Sequence, residues 1–572
     1  MKATEQFEKW LNDPYFDNDT KNELLSIRND PKEIEDRFYK DLEFGTAGLR
    51  GVIGAGTNRM NVYTVRKATQ GLANYIIKNN GQSRGVAIAY DSRHMSPEFA
   101  DVAALCLNAN GIKAYVFDSL RPTPELSFAV RYYGCIAGIN ITASHNPSEY
   151  NGYKVYWEDG AQITPPHDTG ITEEVNNVLD YSQVKTMSKE VAIRDGLYIV
   201  INTEVDDAYL KVLMSLTLHP EVIKEQAESI KIVYTPLHGT GNIPVRRTLK
   251  ELGFKNVFVV PEQEKPDGDF PTVSYPNPES AEAFELAMKL AKKEDADLVL
   301  ATDPDADRLG VWVRDKAGEY HCLTGNMSGC LIAEYEISQR KATKGLPEDG
   351  ALITTIVSTK LSKAIAAFYG IKYIEVLTGF KYIGQQILGF EKSGHGTYLF
   401  GFEESYGCLI GTYARDKDAV SASVALCEAA AYYKSKDLTL WDALTEMYER
   451  YGYYKDGVHS ITLSGIEGLQ KIQDIMNSLR ENAPKQIGGF DVTAVRDYKT
   501  GKIKDIVNNN ESETGLPASN VLFFELTDEA WVCVRPSGTE PKLKLYYGVR
   551  GKTQADADEI AATMEKALKE LF

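Results

Sequence analysis

A strand–helix–strand pattern that occurs three times constrains the fold of this chain more than any other feature. Each copy has an apolar run with a polar end, a helical stretch, a glycine, and a second β-rich run. The copies begin at GVAIAYDSR (85–93), KIVYTPLHGTG (231–241) and ALITTIVSTK (351–360). Gly111, Gly253 and Gly370 stand where each helix is expected to end, because glycine tolerates the left-handed conformation found there. The pattern predicts parallel βαβ units, and therefore three related α/β domains.

The C-terminal part of the chain has a different pattern. Short strand-like runs, SITLSG, NVLFFELT, AWVCVRPS and KLKLYYGVRG, precede a terminal helix from about Gln554. A length of 572 residues, at roughly 150 residues per domain, suggests about four domains. We predict an α/β fold with three related mixed-sheet domains and a smaller C-terminal α+β domain, with boundaries at 1–210, 211–325, 326–455 and 456–572.

Charge and cysteine content narrow the functional class. The formal net charge is −18 and the acidic residues are spread along the chain, which argues against a general nucleic-acid or membrane partner. The seven cysteines show no CxxC pair or metal-ligand spacing, so we expect reduced thiols in a cytoplasmic protein. The segment MKATEQFEKW lacks the apolar region of a signal peptide, and no apolar run approaches the ~18 residues of a membrane span. The oligomeric state is not encoded.

The first chemical motif, TASHNP, places Ser144 just after the apolar run CIAGINI. Ligands of parallel sheets bind beyond the carboxyl ends of strands, so this is where a reactive serine is expected. The alternative is a simple serine or asparagine turn that ends the strand. A hydrolase dyad with His145 is disfavoured, because neighbours on an extended backbone point to opposite sides and no GxSxG surrounds the serine. Lys154 follows ten residues later as a possible cation or proton donor.

The second motif, DPDADR, follows another predicted strand, ADLVLAT. Asp303, Asp305 and Asp307 are alternate carboxylates that suit a hard cation such as Mg²⁺. An EF-hand is excluded, because Arg308 stands where glycine is needed and Arg314 stands where a bidentate glutamate is needed. A solvated acidic loop is the alternative, and Arg308 suits an anion shared with the metal.

Two further segments carry polar clusters. GFEESYG (401–407) offers carboxylates and a hydroxyl at a strand end, which fits a sugar, although a helix-capping role competes. The charged run RDKD (415–418) follows it. RPSGTEPK (535–542) brackets small residues with Arg535 and Lys542, which favours a phosphate-binding nest over a simple β-turn. A reactive serine, a metal site, a sugar loop and a phosphate clamp are together the equipment for moving a phosphoryl group on a sugar.

At these residues the sequence resembles the α-D-phosphohexomutase superfamily. TASHNP, DPDADR, the GFEES segment and RPSGTEPK match the four motifs of the family in order, from about Phe44 to near the C-terminus. FGTAGLRG (44–51) and TASHNPxxxNGYKVYW resemble the phosphoglucomutase-2/phosphopentomutase branch. The resemblance implies four domains around a central cleft, each contributing one motif.

The resemblance also implies roles for individual residues. Ser144 would be the phosphoserine and, through its phosphoryl oxygen, a ligand of one Mg²⁺ ion per chain that Asp303, Asp305 and Asp307 also hold. Arg50 would lie near the phosphoserine, and proton transfer would fall to Lys417, Lys154 or His145. The implied substrate contacts come from Arg308, from the sugar-loop residues Thr378, Gly379, Glu403 and Ser405, and from the phosphate-clamp residues Arg535, Ser537, Gly538 and Thr539.

The implied activity is the interconversion of glucose 1-phosphate and glucose 6-phosphate through a glucose 1,6-bisphosphate intermediate, which also serves as primer. Phe402 and Tyr406 stand where the common sugar motif has glycines, and bulk there would favour a pentose. Gly407 and Cys408 stand where the phosphomannomutase type has a histidine. Phosphopentomutase and phosphomannomutase activities therefore remain alternatives.

Two other classes of protein share part of the pattern. A strand followed by DxD also opens the aspartyl-phosphate phosphatases, in which Asp303 would carry the phosphoryl group. A sugar-phosphate sensor on the same scaffold would be expected to have lost Ser144 or an aspartate, and both are present.

Overall fold

The structure is a computed structural model that describes residues 3–45, 48–463, 465–537 and 542–570. Its chain forms two compact units. Unit 1 comprises the described residues of Met1–Gly325, Phe380–Phe400 and Ser405–Thr439. Unit 2 comprises those of Asn326–Gly379, Gly401–Glu404 and Leu440–Phe572.

The first sheet is mixed and has the order β1-β5-β4-β2-β3-β6. Its strands are β1 (Gly48–Val52), β2 (Val86–Tyr90), β3 (Ala114–Phe117), β4 (Ala137–Ile141), β5 (Tyr150–Trp157) and β6 (Tyr198–Ile201). The helices of this region are α1 (Ala3–Asn12), α2 (Asn18–Ser26), α3 (Pro31–Phe38), α4 (Val62–Lys78), α5 (Ser96–Ala109), α6 (Thr123–Tyr133), α7 (His167–Asn176), α8 (Lys189–Arg194) and α9 (Thr203–Ser215). Strands β2, β3, β4 and β6 are parallel, and β5 lies antiparallel to both β4 and β1. The central strands are buried on both faces, which is why they are almost entirely apolar.

The second sheet, also mixed, has the order β11-β10-β9-β7-β8. Its strands are β7 (Lys231–Thr235), β8 (Asn256–Val259), β9 (Leu298–Thr302), β10 (Leu309–Arg314) and β11 (Tyr320–Leu323), and its helices are α10 (Pro220–Gln226), α11 (Asn242–Leu252) and α12 (Glu285–Glu294). Strand β7 is parallel to β8 and β9, whereas β10 is antiparallel to β9 and β11.

The third sheet has the order β13-β12-β14-β15. Its strands are β12 (Gly350–Thr355), β13 (Lys372–Val376), β14 (Thr397–Glu403) and β15 (Gly407–Ile410). The helices of this region are α13 (Gly325–Thr343), α14 (Leu361–Tyr369), α15 (Phe380–Ser393), α16 (Ala419–Lys434) and α17 (Leu440–Tyr451). Strands β12 and β13 are parallel.

The threefold repeat predicted from the sequence is confirmed by the strand orders. The runs β5-β4-β2-β3, β10-β9-β7-β8 and β15-β14-β12-β13 are equivalent segments of the three sheets. Gly253 and Gly370 cap α11 and α14 in the left-handed conformation, and Gly111 adopts it one residue beyond the cap of α5. A side chain would strain the backbone at each of these positions, so glycine ends all three helices.

The C-terminal domain is built on an antiparallel sheet with the order β16-β23-β22-β21-β18-β19-β20, and β17 pairs with β18. The strands are β16 (Tyr453–Thr462), β17 (Gln486–Ile487), β18 (Phe490–Asp497), β19 (Lys502–Asp505), β20 (Asn510–Glu513), β21 (Leu522–Leu526), β22 (Trp531–Pro536) and β23 (Lys542–Gly551), and the helices are α18 (Gly465–Glu481) and α19 (Gln554–Glu570). The predicted terminal helix is confirmed, as is the α+β character of this region. Strands β17 to β20 were not predicted from the sequence, and of these β19 and β20 are short, charged and largely exposed.

The N-terminal helices α1 to α3 were also not predicted. They pack through an aromatic cluster in which Trp10 stacks on Phe16 at 4.2 Å between ring centroids and meets Tyr63 of α4 edge-on. Trp10 is 1% exposed. Aromatic burial of this kind, rather than helix propensity, holds three short helices against the first domain.

Candidate active site

The first three chemical motifs occupy the same connection of the repeated fold. TASHNP follows β4, DPDADR follows β9, and the GFEES segment spans the end of β14. In each case the next strand, β5, β10 or β15, is the neighbour in the sheet. The repeat therefore delivers a serine, a carboxylate cluster and a polar loop from equivalent strand ends.

Ser144 is 3% exposed and has a positive φ of 54°. Its backbone N–H donates to Thr142 Oγ1 at 2.8 Å, a local turn that takes the chain out of the strand. Its hydroxyl donates to Asp303 Oδ2 at 2.9 Å. The turn thus brings the serine oxygen directly to the carboxylate cluster 159 residues further along the chain.

The prediction that His145 points away from Ser144 is wrong. Its Nδ1 lies 3.2 Å from Ser144 Oγ. The prediction assumed an extended backbone, and the positive φ of Ser144 bends the chain so that both side chains face the same side. Burial, followed by the charges of Arg308 and Arg50, lowers the pKa of His145 well below its usual range, so the imidazole is neutral at pH 7.

Asp303, Asp305 and Asp307 are buried, and each offers a carboxylate oxygen within 4.8 Å of the other two. Asp303 Oδ1 accepts the backbone N–H groups of Asp307 at 3.1 Å and Arg308 at 3.0 Å, which curls the loop around this carboxylate. The predicted convergence of the three side chains is therefore present. A purely solvated acidic loop is excluded by the burial.

The donor set fits a hard divalent cation. Asp305 Oδ1 and Asp307 Oδ1 are buried without a hydrogen-bond donor among the described residues, and carboxylate oxygens are the ligands that Mg²⁺ prefers. Burial and the two neighbouring carboxylates raise the pKa of Asp303 well above its usual range. Burial alone would also raise the pKa of Asp305, but the charge and hydrogen bond of Lys154, together with hydrogen bonds from Asp303 and Thr123, outweigh it and the pKa is lowered. A bound cation would relieve this crowding of negative charge.

Two lysines approach the same cluster. Lys154 Nζ lies 2.8 Å from Asp305 Oδ2 and 3.6 Å from Asp307 Oδ2. Lys417 Nζ lies 3.2 Å from Asp307 Oδ2 and 3.1 Å from Asp416 Oδ1. Burial would lower the pKa of Lys154, but Asp305 and Asp307 more than compensate and raise it. Lys154 is therefore a cation here, without the lowered pKa that a lysine base needs.

The two arginines of the predicted site contact its loops. Arg50 lies on β1, and its guanidinium donates to Asn146 Oδ1 at 3.1 Å, which places it beside the serine loop. Arg308 donates to Glu279 at 2.7 Å, and its Nε lies 3.8 Å from Asp307 Oδ1. Both cations therefore border the serine and carboxylate loops.

Arg93 supports the serine loop and was missed as an individual residue. Its guanidinium donates to the carbonyl oxygens of Ser144 at 2.6 Å, Pro147 at 2.7 Å and Tyr150 at 3.0 Å, and also to that of Asn146. The side chain is fully buried. This arginine therefore binds backbone carbonyls of the serine loop. The sequence feature that could have identified Arg93 is a charged residue shortly after a buried strand.

Thr123 is a second missed residue. Its hydroxyl donates to Asp305 Oδ2 at 2.8 Å and accepts from Asn140 Nδ2 at 2.6 Å. All three side chains are fully buried. No local sequence signal marks Thr123, because it opens helix α6 and reaches Asp305 across 182 residues of chain.

The remaining predicted residues are divided between the units. Thr378, Gly379, Glu403, Arg535 and Ser537 belong to unit 2, whereas Ser405 belongs to unit 1. Arg535 faces Lys544 across the β22–β23 pair, and the N–H of Ser537 donates to the carbonyl of Lys542 at 2.7 Å. The predicted clamp residues Gly538 and Thr539 lie outside the described residues.

Phe402 does not add bulk beside the sugar loop. Its side chain is fully buried, and its ring occupies the space that a side chain at Gly329 of α13 would need. Successive residues of a strand point to opposite faces, so Phe402 enters the core while its neighbour Glu403 points the other way. The bulk that was expected to favour a pentose is therefore not supplied by Phe402. Tyr406, with a φ of 65°, is partly buried in the β14–β15 turn.

Comparison with known proteins identifies the family of this chain over most of its length. Four models of the phosphoglucomutase/phosphomannomutase family match, three for its alpha/beta/alpha domains I, II and III and one for its C-terminal domain. They cover residues 41–182, 207–318, 324–451 and 484–567. The chain therefore belongs to the phosphoglucomutase/phosphomannomutase family, and it is an isomerase of the phosphohexomutase class.

Individual relatives agree with this membership. The chain is 39% identical to a phosphoglucomutase of Staphylococcus epidermidis over 521 residues, which cover 90% of this chain and 92% of the relative. A phosphoglucomutase of Staphylococcus aureus is 39% identical over 535 residues, with coverages of 92% and 93%.

The fold is also that of solved structures. A phosphoglucomutase of Paramecium, called pp63/parafusin, superposes with a TM-score of 0.69 at 19% identity, covering 93% of this chain and 94% of that one. A putative phosphomannomutase of Thermus thermophilus gives 0.68 at 19% identity, with coverages of 93% and 99%. At this level of identity the likeness concerns the fold. Within the part of the chain that the structure describes, no helix combines the length and apolarity needed to cross a membrane.

Proposed function

We propose that this enzyme interconverts glucose 1-phosphate and glucose 6-phosphate through a phosphorylated Ser144. The observation that carries the proposal is the 2.9 Å hydrogen bond between the Ser144 hydroxyl and Asp303, inside a cluster of three buried carboxylates and two lysines. A serine at the edge of such a cluster suits a phosphate carrier. The 39% identity to bacterial phosphoglucomutases supports glucose phosphates as the substrates.

The reaction consists of two phosphoryl transfers. A free hydroxyl of the sugar phosphate attacks the phosphorus on Ser144, and a new P–O bond forms as the bond to Ser144 Oγ breaks. The hydroxyl proton passes to a base, and Ser144 Oγ takes up a proton. After glucose 1,6-bisphosphate turns over in the site, the reverse transfer returns its other phosphoryl group to Ser144.

Asp303, Asp305 and Asp307, with the phosphoryl group of Ser144, would hold one Mg²⁺ ion per chain. The two carboxylate oxygens without hydrogen-bond donors support this assignment. When bound, the ion neutralises charge on the transferring phosphoryl group. Lys154 and Thr123 hold Asp305 in place from the protein side.

The residues around the carboxylate cluster and in the substrate-binding loops take the remaining roles. Lys417 is the proton-transfer group, since its ammonium lies at the cluster and 5.9 Å from the ring centre of Phe380, which directly follows the sugar-loop residues Thr378 and Gly379. The neutral His145 contacts Ser144 Oγ, while Arg50 and Arg308 attract the phosphoryl charge. Glu403 and Ser405 bind sugar hydroxyls. Arg535, Ser537, Gly538 and Thr539 bind the phosphate that is not reacting.

We further propose that glucose 1,6-bisphosphate primes the enzyme and that a sugar phosphate is its main partner. A cytoplasmic location is supported by seven cysteines without disulfides, six of them buried. Reduced thiols of this kind are typical of a reducing compartment.

The test compares wild type with Ser144→Ala in an exchange assay that contains Mg²⁺ and a trace of bisphosphate. We expect Ser144→Ala to lose exchange between the glucose phosphates, while Ser148→Ala, a control in the same loop, keeps it. Full activity of Ser144→Ala would contradict the proposal. Parallel assays with mannose, ribose and deoxyribose 1-phosphates give the substrate preference, and glucose 1-phosphate is expected to turn over fastest.

The chemical stability of the phosphoprotein provides a second test. Phosphate on Ser144 is an ester that survives hydroxylamine and is lost in warm alkali. An aspartyl phosphate on Asp303 would be cleaved by hydroxylamine. If hydroxylamine released the label, the phosphoryl carrier would be Asp303 and not Ser144.

A further inference from the structure

Gly407, the first residue of β15, and the side chain of Lys417 compete for the same volume. A Cβ atom on Gly407 would overlap Lys417 Cδ and would lie 2.7 Å from its Cγ and 3.2 Å from its Cβ. These three atoms are the nearest to that position. Carbon atoms in contact are normally about 3.5 Å or more apart. Because Gly407 has no side chain, the stem of Lys417 can cross β15 at this position.

The glycine is not explained by backbone conformation. Gly407 lies outside the left-handed region in which a side chain would be strained. An alanine could adopt the same backbone and would collide with Lys417. The close approach of the lysine stem is the feature that accounts for it.

The backbone around Lys417 leaves the stem little room to retreat. The N–H of Asp418 donates to the carbonyl of Cys408 at 2.7 Å, which binds the lysine loop to β15. Asp418 in turn caps α16 through Val420 and Ser421 at 2.8 and 3.0 Å. A side chain at position 407 would therefore displace the flexible lysine stem, since Asp418 fixes the backbone next to Lys417.

Moving the stem would move the ammonium group away from the metal loop. Lys417 Nζ lies 3.2 Å from Asp307 Oδ2 and 3.1 Å from Asp416 Oδ1, and the side chain is 9% exposed. These distances allow no shift of an ångström or more without loss of an ion pair. Proton transfer needs similar accuracy, because the group must be within hydrogen-bond reach of the substrate proton.

We propose that Gly407 is the positioning residue of Lys417: a side chain at 407 and the productive placement of this lysine exclude each other. The inference rests on the proposed role of Lys417 in phosphoryl exchange. Gly407 touches no reacting atom and acts only through the stem that crosses it.

The test is a double-mutant cycle on kcat with Gly407→Ala, Lys417→Ala and the double variant, all assayed in the full-length enzyme. General acid–base groups contribute about 10²–10⁴-fold, so we expect each single variant to lose about 10²-fold or more in kcat with KM changed less than about threefold. The double variant is expected to match Lys417→Ala within about twofold, because the collision disappears with the stem. Gly389→Ala is the matched control, because a Cβ there meets nothing within 4 Å.

Stability gives an independent measure of the same coupling. Gly407→Ala is expected to lower the melting temperature, and Lys417→Ala in the same chain is expected to restore it. If Gly407→Ala does not fold but the double variant does, this rescue of folding by itself supports the proposal. A double variant that also fails to fold overturns it.

The kinetic outcomes separate this inference from the proposed function. Losses that multiply in the double variant, or a Gly407→Ala enzyme with wild-type kcat, overturn the positioning role. Wild-type kcat in Lys417→Ala overturns the proton-transfer role and the inference with it. In every case the retention or loss of activity in Ser144→Ala still decides the phosphoserine mechanism by itself.

Discussion

Replacement of Thr123 by valine tests whether the carboxylate cluster is held ready for a metal ion. Thr123 donates to Asp305 Oδ2 at 2.8 Å and accepts from Asn140 at 2.6 Å. Valine has nearly the same shape and only replaces the hydroxyl with a methyl group. The N–H of residue 123 would still donate to the Asp305 carbonyl, at 2.9 Å in the wild type. The perturbation is therefore confined to one oxygen atom.

The expected effect follows from two lost hydrogen bonds in a buried environment. A hydrogen bond to a charged group contributes about 1.5–3 kcal/mol, and a buried donor left unpaired, here Asn140, costs about 1–3 kcal/mol. Partners of metal ligands typically change metal affinity by about 10–100-fold. We therefore expect the Mg²⁺ concentration for half-maximal activity to rise about 10–100-fold in Thr123→Val.

The assay is a Mg²⁺ titration of glucose phosphate exchange, supported by calorimetric titration of the protein with Mg²⁺ alone. Thr123→Ser keeps the hydroxyl and is expected to bind Mg²⁺ within about threefold of wild type. A Thr123→Val enzyme with unchanged Mg²⁺ affinity would refute the argument. So would a serine variant as weak as the valine variant.

Further predictions concern supports of the site and of the fold. Arg93→Met should lower both kcat and the melting temperature, measured by exchange assay and calorimetry, because four carbonyls of the serine loop lose their donor; recovery in Arg93→Lys would contradict this, since one ammonium cannot replace a planar fork. Trp10→Ala should cost about 3–5 kcal/mol of packing and expose the N-terminal helices to trypsin under native conditions; unchanged protection would contradict it. Burial raises the pKa of Asp456 to about 7, so the folded protein holds a proton that the unfolded chain loses near about pH 4. The contribution of Asp456 to the free energy of unfolding should therefore fall as the pH rises from about 4 to 7. In urea titrations Asp456→Asn should reduce the loss of stability over that pH range by about 1–2 kcal/mol, whereas Asp474→Asn, at an exposed position of α18, should not.

The parts of the fold that could be predicted are those with a strong local sequence pattern. The βαβ repeats were predictable because buried parallel strands are continuously apolar and their helices end at Gly111, Gly253 and Gly370. The N-terminal helices were not, because their stability comes from aromatic side chains such as Trp10 that meet partners distant in sequence. The charged strands β19 and β20 lack the alternation that marks a half-buried strand.

The residues of the candidate site also divide into those that a local motif predicts and those that depend on contacts distant in sequence. Motif chemistry predicted Ser144 and the three aspartates as site residues, and the structure brings their side chains together. The orientation of His145 was wrong because a single positive φ at Ser144 reverses a side chain, and no residue type announces it. Thr123 and Arg93 were missed as site residues because their partners lie on other segments of the chain.

By itself the sequence determined the class of fold, the order of the four motifs and the chemistry each could supply, because these depend on residue type and local periodicity. The tertiary structure decided which groups meet. It brought Ser144 to Asp303, paired Lys154 with Asp305, and placed the stem of Lys417 against Gly407. Hydrogen bonds and ion pairs act over a few ångströms, and only the packing of distant strand ends sets those distances.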